Sequence, residues 1–182
     1  MPRTEIRIAG FGGQGVVLSG VLLGNAAVLY DGKHAVQTQT YGAAARGGAA
    51  RSDVIIDENP IVYPQVTKPD IMTAFTLDAL KKYSDDLKEN AVLIIDKDLV
   101  APPEGTSFNI YRVPATSIAV KELGRGIVAN MIMLGFLVTL TEVVSLDAAR
   151  EAIRGGVPKG TEKLNLRAFE RGVELAINRK SY

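Results

Sequence analysis

The stretch EIRIAGFGGQGVVLSG, residues 5–20, decides the fold, because an apolar run, a glycine cluster and a second apolar run follow one another. The first run predicts a short buried strand over residues 5–11. The second continues to residue 30 with apolar side chains at helical spacing and predicts an amphipathic helix over residues 14–30. A strand, a glycine turn and a helix in this order are typical of a sheet built from strand–helix units.

The glycines at this turn, Gly10, Gly12 and Gly15, fit the spacing G-x-G-x-x-G. Glycine permits a tight turn and lets the backbone approach an anion closely. The start of the following helix offers unpaired N–H groups and a partial positive charge. We therefore predict an anion cradle of Gly10, Gly12, Gly13, Gln14 and Gly15, with the Gln14 amide as a further donor. The alternative is that the glycines only let the strand and the helix pack tightly.

A nicotinamide cofactor does not fit the next strand, predicted over residues 32–41. Dinucleotide sites need an acidic residue at the end of this strand to hold the ribose hydroxyls. Here the strand ends in AVQTQTYG, with neither a carboxylate nor an arginine. The sequence thus predicts an anion other than NAD or NADP.

A second glycine-containing segment, TYGAAARGGAARSD at residues 40–53, follows that strand. If the first two strands are neighbours, it shares the carboxyl edge of the sheet with the first loop, where ligands of open α/β sheets bind. A guanidinium can form a fork to a phosphate or carboxylate. We predict binding residues at Tyr41, Gly42, Arg46, Gly47 and Gly48; the alternative is a solvated arginine in a flexible loop.

Strands and helices alternate along the rest of the chain. Further strands are predicted over residues 52–58, 71–75, 91–96 and 106–114, and helices over residues 77–87, 115–124, 127–142, 146–154 and 165–178. The predicted fold is α/β: a Rossmann-like three-layer sandwich, with a mostly parallel sheet, helices on both faces and a helical C-terminal part.

Composition excludes several classes of protein. The 182 residues carry a net charge of +1, which favours neither nucleic acid nor a membrane surface. With no cysteine and one histidine, the chain can hold neither a thiolate-bound iron–sulfur cluster nor a histidine-rich metal site. Polar residues interrupt the apolar stretch at 127–144, so it predicts a buried helix, and the N-terminus lacks a signal-peptide pattern. We expect a cytoplasmic protein.

Four other side chains have two readings. His34 is expected at an exposed strand edge rather than as a general base. Asp96 is expected to cap a turn or helix, and Asn165 to cap the last helix. Asn130, a lone amide in the apolar helix, either bonds backbone or reaches a ligand loop.

Both glycine segments, in this order and spacing, resemble the γ subunit of 2-oxoacid:ferredoxin oxidoreductases. The matching stretches are EIRIAGFGGQGVVLSGVLLGNAA, YDGKHAVQTQTYGAAARGGAARSDVII, YPQVTKPDI and NMIMLG. The stretch DGKHAVQTQTYG is most similar to the 2-oxoglutarate enzymes. Family members commonly carry proline and glutamate where this chain has Ala43 and Ala44, so a contact made by that glutamate would be absent here.

The resemblance implies that residues 1–182 form a single γ-type domain of a multi-subunit enzyme. Such enzymes oxidatively decarboxylate a 2-oxoacid with coenzyme A, giving an acyl-CoA, CO2 and reduced ferredoxin. It implies thiamine diphosphate, Mg2+ and iron–sulfur clusters on partner α and β subunits, with δ as a further candidate, and no catalytic residue on this chain. Coenzyme A is the ligand it implies for the glycine loop and Arg46. The alternatives are a standalone nucleotide-binding or regulatory module and a purely structural interface subunit.

Overall fold

The computed structural model describes residues 3–41 and 48–178. The strands are β1 (Thr4–Phe11), β2 (His34–Tyr41), β3 (Ala49–Asp57), β4 (Ile71–Ala74), β5 (Val92–Asp96) and β6 (Asn109–Val113). The α-helices are α1 (Val16–Asn25), α2 (Leu77–Tyr83), α3 (Ala115–Lys121), α4 (Ala129–Thr141), α5 (Leu146–Gly156) and α6 (Glu162–Ile177). A π-helical turn (Ala26–Tyr30) follows α1, and a 3-10 turn (Gly126–Val128) precedes α4.

The six strands form one sheet in the order β2-β3-β1-β4-β5-β6. The pairs β1–β4, β4–β5 and β5–β6 are parallel, whereas β3 runs antiparallel to both β1 and β2. The predicted mostly parallel α/β sheet is thereby confirmed. The conditional placement of β2 beside β1 is wrong, because β3 returns between them.

Helices cover both faces, but unevenly. Ile6, Ile8 and Val54 point from the sheet into the larger apolar core, which also contains buried residues of α1, α3, α4, α5 and α6. Ala9, Met72 and Leu93 of the opposite face form a smaller core with α2. The three-layer arrangement is confirmed, with most of the helical mass on one side.

Helices α4 and α6 cross at very close range, because a glycine stands on each helix at the crossing. A Cβ atom on Gly135 would lie 2.1 Å from the Phe169 carbonyl oxygen, and one on Gly172 would lie 1.9 Å from that of Ile132. Buried side chains fill α4 from Ala129 to Val138, which confirms the predicted buried helix. No helix within residues 3–41 and 48–178 combines the length and hydropathy needed to cross a bilayer.

Two helix starts differ from the prediction. The first helix begins at Val16 rather than residue 14, because Gly15 has φ +75° and cannot belong to a right-handed helix. The last helix begins at Glu162, so Asn165 lies inside its first turn and is not its N-cap. Instead, Nδ2 of Asn165 donates to the carbonyl oxygen of Thr161 at 2.9 Å.

Candidate functional site

The glycine loop, residues 12–15, joins the carboxyl end of β1 to the first turn of α1. Gly13 and Gly15 have φ angles of +100° and +75°, which L side chains rarely adopt. Gly12 and Gly13 are exposed. The sequence between β1 and α1 therefore folds as a tight turn with open backbone at its tip.

The four amide groups of this loop fall into two pairs. The N–H of Gly12 donates to the carbonyl oxygen of Gly48 at 3.2 Å, and that of Gln14 to the carbonyl oxygen of Phe11 at 3.2 Å. The N–H groups of Gly13 and Gly15 donate to no other residue in the part of the chain that the structure describes. Within the described residues, Gly13 and Gly15 thus carry the loop amides that have no protein acceptor.

Gln14 folds its side chain back onto the loop. Its Oε1 accepts the Phe11 N–H at 2.7 Å, and a Cβ atom on Gly10 would lie 2.6 Å from that oxygen. The absence of a side chain at Gly10 therefore makes room for this contact. Gly10 serves close packing, which is the alternative that the sequence left open for it.

Asn130 ties the loop to the apolar helix α4. The side chain is only 3% exposed, and its Nδ2 donates to the carbonyl oxygen of Gly15 at 3.3 Å. The hydroxyl of Ser19 donates to the same oxygen at 3.1 Å. The Asn130 amide therefore bonds backbone, as one reading expected, and that backbone belongs to the glycine loop.

A cavity of about 500 Å³ opens between the glycine loop and the helical side of the domain. Its wall is mostly apolar, with Val17, Leu18 and Ile127 among the residues that form it. The described residues lining it are Gly12, Gly13, Gly15, Val16, Val17, Leu18, Tyr41, Ala50, Arg125, Ile127, Val128, Asn130, Pro158, Gly160, Thr161, Leu164 and Asn165. Among them Arg125 carries the one formal charge.

The structure brings part of the second predicted segment to this cavity. Tyr41, 60% exposed, lies on its wall. In register, Tyr41 pairs with Ala50 and Ala50 with Gly10, so β2 and β1 end at the same edge although β3 separates them. Gly48 accepts the Gly12 N–H and so joins the two segments. The predicted residues Gly42, Arg46 and Gly47 lie outside the described residues.

Sequence reasoning missed the opposite wall of the cavity, formed by Arg125 and the chain around Thr161 and Leu164. The sequence carried one local signal for Arg125, because this arginine stands between Gly124 and Gly126 just before the apolar helix. That Thr161 and Leu164 face the glycine loop depends on how α6 packs, which no local pattern encodes.

A smaller cavity of about 230 Å³ lies on the other side of the glycine loop, beside Thr116 and Phe75. Asp96, at the end of β5, accepts hydrogen bonds from the Thr116 hydroxyl at 2.6 Å and the Asp98 N–H at 3.1 Å. Burial raises the pKa of Asp96, and the hydrogen bonds from Thr116 and Asp98 oppose that rise. Asp96 caps a turn and the start of α3, as expected.

His34 is exposed on the outer strand, also as expected.

Comparison with known proteins gives the family. Residues 5–175 match the family described as pyruvate ferredoxin/flavodoxin oxidoreductase. The chain belongs to this oxidoreductase family. It is 51% identical over 176 residues to the 2-oxoglutarate synthase subunit KorC of Methanocaldococcus jannaschii, an alignment that covers 96% of this chain and 94% of that protein.

Solved structures of family members agree. The γ subunit of a keto/oxoacid ferredoxin oxidoreductase from Geobacter sulfurreducens superposes with a TM-score of 0.89 at 44% identity, covering 98% of both chains. A 2-oxoglutarate:ferredoxin oxidoreductase from Magnetococcus marinus, with 2-oxoglutarate, coenzyme A and succinyl-CoA bound, gives 0.87 at 26% identity. In that enzyme the match covers 98% of this chain but 32% of the longer one. The resemblance seen in the sequence, and with it the prediction of an oxidoreductase subunit, are confirmed.

Proposed function

We propose that this chain is the γ subunit of a 2-oxoglutarate:ferredoxin oxidoreductase. The complex would convert 2-oxoglutarate and coenzyme A into succinyl-CoA and CO2 and pass two electrons to ferredoxin. The observation that carries the proposal is the near full-length identity of 51% with a 2-oxoglutarate synthase subunit. The presence of coenzyme A and succinyl-CoA in a related structure supports the same reaction.

The role we assign to this chain is to bind and orient coenzyme A. The free N–H groups of Gly13 and Gly15 suit a phosphate oxygen at the start of α1, where the helix dipole adds to the attraction. The exposed ring of Tyr41 and the apolar wall around Leu18 suit an uncharged part of the same molecule. Arg46 remains the predicted fork to a second phosphate.

Electron transfer and decarboxylation belong to other subunits in this proposal. Thiamine diphosphate, Mg2+ and iron–sulfur clusters would supply that chemistry from the α and β subunits, with δ as a further candidate. The chain has no cysteine to ligate a cluster. Among the described residues no group of three or more His, Asp or Glu side chains is placed to hold a metal ion.

Gly12 allows a sharp test of the anion site. A Cβ atom there meets no atom of the described residues within 4 Å, and the backbone is not left-handed, so a side chain fits among them without strain. In the assembled complex, Gly12→Asp places a carboxylate beside the proposed phosphate, while Gly12→Asn has almost the same shape and no charge. We expect Gly12→Asp to raise the KM for coenzyme A about tenfold over Gly12→Asn, which corresponds to about 1.4 kcal/mol of repulsion.

The measurement is 2-oxoglutarate-dependent reduction of ferredoxin at varied coenzyme A. Equal KM values for the two Gly12 variants and the wild type would show that no phosphate of coenzyme A binds at the glycine loop. Arg46→Ala in the same assay tests the second contact, and an unchanged KM would remove Arg46 from the site.

A further inference from the structure

Arg125 lines the cavity beside the glycine loop and has no counter-charge among the described residues. It lines the same space as Gly12, Gly13 and Gly15, and no carboxylate is among the described residues that line this space. The side chain is exposed and forms no ion pair or hydrogen bond with any residue in 3–41 or 48–178. An unpaired guanidinium facing free amide donors creates a region of positive potential that attracts anions.

The backbone holds Arg125 in this place. Its N–H donates to the carbonyl oxygen of Ala119 at 3.0 Å, and its own carbonyl oxygen accepts the N–H of Val128 at 3.2 Å. One bond ties the residue to α3 and the other to the 3-10 turn that leads into α4. The base of the side chain is therefore fixed at the cavity while the guanidinium stays free.

The nearest acid in the sequence does not neutralise Arg125. Glu122, three positions earlier, is engaged by Arg171 of α6, whose Nε lies 2.9 Å from Oε2 and whose Nη2 lies 3.2 Å from Oε1. On the same helical side, Arg150 pairs with Glu170 and Arg154 pairs with Glu151. Glu122, Glu170 and Glu151 are thus engaged by arginines other than Arg125, and the carboxylate of Glu162 accepts the N–H of Gly160 at 2.8 Å.

We propose that Arg125 is a phosphate-binding residue of the coenzyme A site, acting from the wall opposite the glycine loop. This inference rests on the proposed function. A phosphate that enters the cavity meets the N–H groups of Gly13 and Gly15 on one side and a forked guanidinium on the other. The chain then supplies the charge of this subsite from a residue that lies more than 100 positions after the loop.

The test compares Arg125→Ala with Arg167→Ala in the assembled complex. Arg167 on α6 is also exposed and also has no partner among the described residues, but it does not line the cavity. We expect Arg125→Ala to raise the KM for coenzyme A about tenfold, with kcat within twofold, because one charge-assisted contact to bound substrate is lost. Arg167→Ala should match the wild type, and Arg125→Lys should recover part of the loss.

Dephospho-coenzyme A, which lacks the 3′-phosphate, identifies the group that is bound. A rise in KM for coenzyme A alone assigns Arg125 to the 3′-phosphate, and an equal rise for both compounds assigns it to the diphosphate. An unchanged KM in Arg125→Ala, or an equal rise in Arg167→Ala, overturns the inference. If Gly12→Asp still raises the KM in that case, the proposed function stands without Arg125; if it does not, the coenzyme A role of this chain fails as well.

Discussion

Glu5 shows how one buried carboxylate holds a long irregular segment in place. Its Oε2 accepts the N–H groups of Thr67 and Lys68 at 2.9 and 3.1 Å, and Arg3 donates to its Oε1. Burial on its own would raise the pKa of Glu5, but these hydrogen bonds and the charge of Arg3 outweigh it and lower the pKa. The proline-containing chain over residues 58–70 is thus fixed to β1 by an ionised group.

Replacing Glu5 by glutamine should make stability less dependent on pH. Because the pKa of Glu5 is lower in the folded state, its contribution is complete above the pKa of an unfolded glutamate, about 4.3, and is lost as the pH falls through the folded value. At pH 7 we expect Glu5→Gln to reduce the free energy of unfolding by about 1–2 kcal/mol. Urea titrations at pH 7 and in the acid range measure this difference, and a gap that does not shrink in acid would contradict the assignment.

Gly15 offers a second test at the level of single residues. Alanine there must adopt φ +75°, and its Cβ would lie 2.2 Å from Nδ2 of Asn130. We expect Gly15→Ala to lower the free energy of unfolding by about 1–3 kcal/mol. Gly24→Ala in α1 is the matched control, because its Cβ meets none of the described atoms within 4 Å. That variant should gain about 0.5–1 kcal/mol from helix propensity, and equal midpoints of urea unfolding for the two variants would count against the described turn.

At the scale of elements, the crossing of α4 and α6 depends on the absence of two side chains. Since a Cβ on Gly172 would lie 1.9 Å from a backbone oxygen, the two helices must separate to admit it. We expect Gly172→Ala to cost at least about 2 kcal/mol of unfolding free energy, through overpacking. Gly155→Ala in α5, where the nearest atom is the Tyr30 hydroxyl at 3.9 Å, should be neutral or stabilising.

Thermal unfolding followed by circular dichroism measures both variants of this pair. A midpoint for Gly172→Ala equal to that of Gly155→Ala would show that the crossing is looser than described. Because α6 also forms one wall of the cavity beside the glycine loop, Gly172→Ala should in addition weaken coenzyme A binding by the complex.

The sequence predicts the bounds of some strands and helices well and those of others poorly. Short apolar runs such as residues 71–74 and 92–96 are buried on both sides and have a local signature, so they were predicted within one residue at each end. The position of β3 between β1 and β2 was not predictable, because it is fixed by pairing between strands far apart in the chain. The start of α1 just after Gly15 and the start of α6 at Glu162 depend on turn geometry, which apolar spacing does not encode.

The same contrast holds for the candidate site. The glycine loop is local, since its residue types and spacing alone predict the turn and its open amides. Arg125 reaches the loop only through the packing of α3 and α4, and a single arginine between glycines carries too little information to place it. Sequence reasoning therefore found one wall of the cavity and missed the other.

At the scale of the whole molecule, the proposed function predicts that the chain is inactive alone. The isolated chain should give no detectable 2-oxoglutarate-dependent reduction of ferredoxin, because it can ligate no cluster by cysteine. Adding the partner subunits should restore turnover and yield one stable complex on size-exclusion chromatography. Turnover by the isolated chain, or failure to associate with those partners, would contradict the assignment to the γ subunit.

The antiparallel ladder between β2 and β3 has a consequence for how such enzymes diversify. Tyr41 and Ala50 stand opposite each other in register, so both ends of the intervening chain are fixed to the sheet. Exchanges of residues 42–47 between relatives, such as the alanines at 43 and 44, are therefore expected to leave the pairing of Tyr41 with Ala50 intact. Grafting this short segment between relatives would test, on an unchanged scaffold, whether it contributes to cosubstrate choice.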